Sequence, residues 1–379
     1  MTVAFKELTK APYRFDIVGS FLRPSELKEA RQKFIDNEID ATSLRVVEDQ
    51  AIIDLLAKQE KHGLKSVTDG EFRRSWWHLD FFWGLNGVKK VASSKGYEFE
   101  GEITRAETAT LSGLISGTNH PFVADFKFAN EHVSQGTNVK QTIPAPAQFL
   151  AELQRPENQA DVQKFYNNEE ALIQAIATSY RQVISDLYDA GCRTIQFDDC
   201  TWGMLAGLHN ANLNNAIDEE TLEKSKAVYV RVNNLALVGK PDDLVVNTHV
   251  CRGNYHSHWA SAGGYESVAT PLFDQENVNA YFLEYDSNRA GGFEPLAKVT
   301  QGKYVVLGLV TSKNGELEDQ NELIERVHEA SRYVPLEYLC LSTQCGFAST
   351  EEGNILTEDD QWAKIELVKT VAQKIWGNY

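Results

Sequence analysis

The feature that most constrains this chain is an alternation of short apolar, β-branched runs with stretches of helical periodicity. Eight such runs can be read, at residues 15–20, 64–68, 139–143, 192–197, 244–249, 280–283, 304–310 and 336–341. Helical patterns lie between most of them. The clearest covers residues 41–63, where Leu44, Val47, Ile52, Leu55 and Leu56 recur at helical spacing before Gly63. Strands alternating with helices imply parallel strands joined by crossover helices. Eight units favour a closed (β/α)8 TIM barrel, an α/β fold, over an open doubly wound sheet. No GxGxxG follows a strand and no GxxxxGK[ST] occurs, so dinucleotide and P-loop readings have no support. Residues 86–133 break the rhythm with alternating, Thr-, Gly- and charge-rich sequence, which predicts an antiparallel β insertion after the second strand. The insertion absorbs part of the excess over the roughly 250 residues typical of such a barrel. The whole chain, 1–379, is expected to be one catalytic domain.

Composition narrows the partners. The net charge is −17 and no long basic run is present. Nucleic acid and anionic membrane both reward Lys/Arg clusters, so neither is expected as a partner. No run approaches the length of a membrane span, and residues 1–14 lack the apolar region of a signal peptide. The five cysteines, Cys192, Cys200, Cys251, Cys340 and Cys345, are odd in number and confined to the second half. They fit reduced thiols in the cytoplasm better than a disulfide framework.

In a barrel of this type, chemistry sits at the C-terminal ends of the strands. Those ends carry, in order, Ser20; Asp69 and Glu71; Pro144; Asp198 and Asp199; His249 and Cys251; Glu284 and Asp286; Thr311 and Ser312; and Cys345. His249 and Cys251, two residues apart on a strand, point to the same face. Alone, the pair is as well explained by an ordinary strand end with a buried cysteine. With Glu284 and Cys345 it becomes a set of one nitrogen, two sulfurs and one oxygen, suited to tetrahedral Zn²⁺. The competing reading makes Cys345 a small buried residue beside Gly346 and pairs Glu284 with Arg289. Cys192 and Cys340 are expected in the core, with Cys200 as the alternative thiolate. His256 and His258, in the loop beyond, read as surface or substrate-contact residues. Trp76, Trp77 and Trp83 read as core or lid packing.

Six short motifs occur in a telling order: Val18-Gly19-Ser20-Phe21, Asp69-Gly70-Glu71, Ile195-Gln196-Phe197-Asp198, His249-Val250-Cys251, Leu283-Glu284 and Gln344-Cys345-Gly346. In that order they resemble the catalytic barrel of the cobalamin-independent methionine synthase superfamily. The resemblance runs from about residue 15 to the C-terminus and suggests a short, single-barrel member. It implies that His249, Cys251, Glu284 and Cys345 hold Zn²⁺. It implies that Glu71 and Asp198 grip the amino group of homocysteine, and that Ser20 with its backbone holds the carboxylate. The implied reaction methylates the homocysteine thiolate to methionine, with 5-methyltetrahydrofolate (polyglutamate) as donor. The pattern departs from the family in one place. Thr311 stands where the family carries a histidine thought to protonate the departing folate nitrogen, so no catalytic acid is assigned. Nor is there a folate-stacking Trp in residues 142–148. A corrinoid protein as methyl donor is an alternative. So are an epoxyalkane–coenzyme M transferase-like reaction, which needs cations such as Arg73, Arg74 or Arg252, and a non-catalytic zinc- or corrinoid-protein-binding module. Glu71 and Asp198 argue against a sulfonate-bearing thiol.

Overall fold

The computed structural model describes residues 5–209 and 217–377. Eleven strands occur among them: β1 (Ser66–Val67), β2 (Asn86–Ala92), β3 (Glu98–Phe99), β4 (Glu102–Ile103), β5 (Glu107–Ser116), β6 (Asn138–Pro144), β7 (Thr194–Asp199), β8 (Val245–Val250), β9 (Ala280–Glu284), β10 (Tyr304–Val310) and β11 (Leu339–Thr343). Seven of these form a parallel sheet in the order β1-β6-β7-β8-β9-β10-β11. Every residue of β7, β8, β9 and β11 is buried. Burial on both faces is why these strands read as near-continuous apolar runs. The register sets Asp198 beside His249 and Glu284 beside Gly308, so chemistry-bearing residues share one end of the sheet.

The first predicted strand is reduced to a single parallel bridge, Phe15 with Leu341. The cause is local. Asp16 accepts hydrogen bonds from Tyr13 N (3.2 Å) and Ile17 N (2.8 Å), so its side chain competes with a ladder for the backbone. The segment still joins the sheet's two edges. On the β11 side Asp16 N donates to Leu341 O (3.0 Å), and beyond β1 Phe21 N donates to Gly70 O (3.1 Å). Thr68 Oγ1 donates to Gly19 O (2.5 Å). A fully buried ion pair, Lys140 Nζ to Asp16 Oδ1 at 3.1 Å, ties the segment to β6. The sheet therefore curls in a TIM-like way and Ser20 is carried to its C-terminal rim.

Helices cover the outside. Glu169–Asp189 is capped by Asn168 and buries Leu172, Ile173, Ile176, Tyr180, Val183, Ile184 and Leu187 at three- and four-residue spacing. Glu358–Trp376 opens with a capping box between Thr357 and Asp360. No helix among the described residues is long and apolar enough to cross a membrane.

The insertion is real but shorter than predicted. β2 pairs with β5 and β3 with β4, both antiparallel. The strands end at Ser116, and Pro121–Glu131 is a helix, not part of an antiparallel excursion reaching residue 133. Pro121 opens it, the His120 side chain accepts from Phe122 N, and Phe122, Phe126 and Ala129 bury one face. It lies in the crossover between β1 and β6.

Candidate active site

β8 carries His249 at its C-terminal end, the turn after it supplies Cys251, β9 ends in Glu284, and the loop after β11 supplies Cys345. All four are buried, and one ligand atom from each lies within 4.8 Å of the others. The two thiol sulfurs are 3.7 Å apart. His249 Nδ1 faces the carbonyl of Phe282 at 3.3 Å, which leaves Nε2 buried with no hydrogen-bond partner. Glu284 Oε1 accepts from Arg252 N at 2.9 Å. Its Oε2 has no hydrogen bond; Arg289 stands 3.5 Å away, closer to Asp286 at 3.0 Å. The Glu284–Arg289 contact of the competing reading is therefore present but loose. Orphaned buried polar atoms are rare because each costs free energy. Here they converge with two thiols, and the donor set fits a soft divalent metal. Without one, the thiols keep their protons. A hydrogen bond with Cys200, and burial after it, hold Cys251 well above the ordinary thiol range, and contact with Cys251 does the same for Cys345.

Across the rim stand two acids. Glu71 follows β1 in a tight turn, with Gly70 at φ +67° and Glu71 itself at φ +62°. A Cβ at position 70 would sit 2.3 Å from Leu55 Cδ2, so glycine is required there. The left-handed backbone at Glu71 is uncommon for a non-glycine residue. It is stabilised by Glu71 N donating to Asp69 Oδ1 (2.9 Å). Glu71 Oε1 accepts from Thr142 Oγ1 (2.8 Å) and meets Arg74 at 3.3 Å, while Oε2 has no partner. Asp198, at the end of β7, accepts from Gln196 Nε2 (2.8 Å). Burial, reinforced by the facing Glu71, pushes Asp198 up to about 8. Burial also raises Glu71, against the pull of Arg74 and Arg23. Two buried acids that repel each other in a shared space favour a cation between them. Ser20 is buried nearby, its Oγ accepting from Ala348 N at 3.3 Å. Gly346 makes room for it: a Cβ there would lie 2.0 Å from Ser20 Oγ.

One cavity of about 700 Å³ is lined by Ser20, Glu71, Asp198, His249, Cys251 and Cys345. The insertion contributes its roof through Tyr97 and Phe99, and Trp76, Trp77 and His78 add a wall. Sequence reasoning passed over His78, whose only signal was its place beside two tryptophans. Cys200 also lines the cavity, beside Cys251, but lies outside the four-residue set. Cys192 and Cys340 are in the core as expected. His256 and His258 do not join the metal set; His256 stacks on Tyr255 (4.3 Å). Trp76 is buried and donates to Glu107 Oε2 (2.6 Å). Of the three arginines considered for a sulfonate, Arg73 is paired to Asp49 (2.7 Å) and Arg74 to Glu71 and Thr142. Arg252 is buried with its guanidinium over the Tyr265 ring at 4.4 Å and no hydrogen-bond acceptor.

A parallel α/β sheet whose strand ends deliver this many polar groups to one enclosed cavity defines an enzyme with a TIM-like architecture. Comparison with known proteins sharpens the class. Residues 16–358 match the family described as cobalamin-independent synthase, catalytic domain. The chain is 43% identical over 371 residues to the uncharacterized protein YxjH of Bacillus subtilis, spanning 97% of this chain and 96% of that one. It is 25% identical over 335 residues to a methionine synthase of Saccharolobus solfataricus, spanning 87% and 86%. A crystal structure from Listeria monocytogenes, assigned provisionally as a vitamin-B12-independent methionine synthase, superposes with a TM-score of 0.75 at 37% identity, over 97% of this chain and 99% of that one. The chain belongs to the cobalamin-independent methionine synthase family and is a methyltransferase of that type.

Proposed function

We propose that the protein is a cytoplasmic, zinc-dependent S-methyltransferase that converts homocysteine to methionine, with 5-methyltetrahydrofolate, as its polyglutamate, as the methyl donor. We read the curled sheet as a (β/α)8 barrel whose first strand is residues 15–20, and residues 1–379 as its single domain. The observation that carries the reading is that His249, Cys251 and Cys345, three of the four converging donors, line the same cavity as the Glu71/Asp198 pair. One end suits a thiol and the other an ammonium, the two ends of an amino-acid thiol. Zinc, when bound, takes the place of the proton on the substrate sulfur and so supplies a thiolate at neutral pH. His249, Cys251, Glu284 and Cys345 would hold it, with His249 Nε2 and Glu284 Oε2 free of other hydrogen bonds. Glu71 Oε2 and Asp198 accept from the ammonium, and Ser20 with its neighbouring backbone orients the carboxylate. Fixing both ends of a short substrate aims its sulfur at the rest of the cavity, where the donor sits.

The test is zinc-loaded protein with homocysteine, offered 5-methyltetrahydrofolate as mono- and triglutamate and, separately, methylcobalamin. Methionine from the folates is the expected result; from methylcobalamin alone, the donor is a methylcorrinoid and the folate assignment falls. Methionine from none ends the reading. Transfer to a sulfonate-bearing thiol has one observation in its favour, the unpaired guanidinium of Arg252 on the cavity wall. Offering coenzyme M beside homocysteine as acceptor separates the two.

A further inference from the structure

We propose that His78, aligned by Tyr97 and Glu152, is the proton donor to the nitrogen that gives up the methyl group. The inference rests on the reading above, that the methyl group comes from a nitrogen. Such a nitrogen is a poor leaving group unless it gains a proton as the bond breaks. Thr311 occupies the position where the family resemblance led one to expect a histidine, and it is not among the residues lining the cavity. Among the described residues of that lining, the histidines are His249, in the metal set, and His78.

His78 is built into a chain of polar groups from three elements. Its ring lies against Trp77 with centroids 4.5 Å apart. Nε2 is 3.2 Å from the Tyr97 hydroxyl, contributed by the insertion. The Tyr97 hydroxyl donates to Glu152 Oε2 at 2.9 Å, from the helix Pro146–Leu153. Glu152 Oε1 accepts from Thr108 Oγ1 and from Arg155 at 3.3 Å. His78, Tyr97, Glu152 and Arg155 all line the cavity. The last nitrogen of the chain, His78 Nδ1, is buried with no partner in the protein. Most buried polar side-chain atoms are paired; Nδ1 of His78 is an exception, on a residue that lines the cavity.

The chemistry balances. Burial favours the protonated carboxyl of Glu152 and the neutral ring of His78. In the structure Tyr97 donates to Glu152; in the proposed donor state Glu152 carries a proton and the chain reverses, from Oε2–H to the Tyr97 oxygen and from Tyr97 O–H to His78 Nε2, which puts the ring proton on Nδ1. As the sulfur–carbon bond forms and the nitrogen–carbon bond breaks, the bonding pair stays on nitrogen. Nδ1 gives that nitrogen its proton, Nε2 takes the proton of Tyr97, and Tyr97 takes the proton of Glu152. Glu152 is left as a carboxylate held by Arg155 and Thr108 and is reprotonated from water before the next turnover.

The experiment compares two donors on zinc-loaded protein with homocysteine: 5-methyltetrahydrofolate, whose nitrogen needs a proton, and methyl iodide, whose iodide does not. His78→Gln is expected to slow transfer from the folate by roughly 100-fold or more. The same variant should methylate homocysteine from methyl iodide at close to the wild-type rate and hold the same zinc. Tyr97→Phe, further from the reacting atoms, should show the same donor selectivity with a smaller loss. Equal losses with both donors, or no loss with the folate, overturn the assignment. Wild-type protein that uses methyl iodide but no N-methyl donor also overturns it, while thiol activation stands. Wild-type protein inert to methyl iodide ends the functional reading instead.

Discussion

The two ends of the cavity are prepared for opposite tasks in opposite ways. At the metal end, His249 Nε2 and Glu284 Oε2 are buried without hydrogen bonds, and both thiols hold their protons. A cation bound there would displace the two thiol protons. At the acid end, Thr142, Arg74 and Gln196 satisfy part of Glu71 and Asp198, Glu71 Oε2 is left without a partner, and Asp198 is raised by burial and by the facing Glu71. What distinguishes it is that burial disfavours the charge of both acids, which a cation between them would relieve. A metal ion thus has much to gain from four donors at once, whereas an ammonium adds to groups already partly satisfied. Losing a residue at the first end should abolish function; losing one at the second should weaken it.

The largest effect follows from Cys345→Ser or Cys251→Ser. Partners one shell outside a metal typically contribute 10–100-fold in affinity or activity. Loss of a thiolate ligand itself should cost at least about 100-fold in methyl transfer, with zinc falling well below one per chain. Elemental analysis and a methionine assay report both quantities. Full zinc and full activity in Cys345→Ser would remove the cluster from the mechanism.

Glu71→Gln and Asp198→Asn probe the other end. On the proposed function each would remove a charge-assisted hydrogen bond to the substrate ammonium, so homocysteine should bind about 10–100-fold more weakly. Zinc content should not change. If either variant lost zinc as completely as the cysteine variants, the two ends would be one structural unit and the contrast would fail.

How much of this contrast the sequence could disclose depends on which forces place each residue. β8 and β10 are buried on both faces, and their apolar runs predicted them almost to the residue. Strand ends follow from strands, so His249, Glu284 and Asp198 were legible once the alternation was recognised. Residues 15–20 were legible as apolar but not as a bare bridge, because Asp16 spends its carboxylate on local backbone and on Lys140. The helix Pro121–Glu131 was hidden by the β-rich sequence before it, although Phe122, Phe126 and Ala129 carry its periodicity. His78 was illegible as a member of a chain of polar groups. Tyr97 lies 19 residues from His78 and Glu152 lies 55 residues from Tyr97, and only the folded insertion brings the three together.

A third prediction uses pH to test the raised acid at that end. Asp198 is pushed up to about 8 in the folded protein from an ordinary value of 3.8. Between those values the folded state binds more protons than the unfolded one, so stability from this group is lost as pH rises from about 4 to about 8. Asp198→Asn removes that loss. Its thermal midpoint, relative to wild type, should therefore rise between about pH 5 and about pH 8, by a few degrees at most for a chain of this size. Bound homocysteine should narrow the gap by giving Asp198 a counter-ion. A gap that does not change with pH would mean that burial and the facing Glu71 do not raise Asp198 in the folded protein.

The smallest effect is expected at Cys200, which lies on the boundary of the metal end. It faces the cavity and hydrogen-bonds with Cys251, yet it is absent from the group whose donor atoms converge. If it only contacts Cys251, then Cys200→Ser keeps a hydroxyl that can donate to the Cys251 sulfur once that sulfur is a thiolate. Zinc affinity should then change by less than about tenfold, below the usual cost of losing an outer partner altogether. If Cys200 is a ligand in place of Glu284, the same variant should lose zinc as Cys345→Ser does, and Glu284→Gln should not. Competition with a chromophoric chelator, run on the three variants side by side, decides between these outcomes. A Cys200→Ser protein that binds zinc like wild type, beside a Glu284→Gln protein that does not, places the edge of the metal end between the two neighbouring sulfurs, Cys200 outside and Cys251 inside.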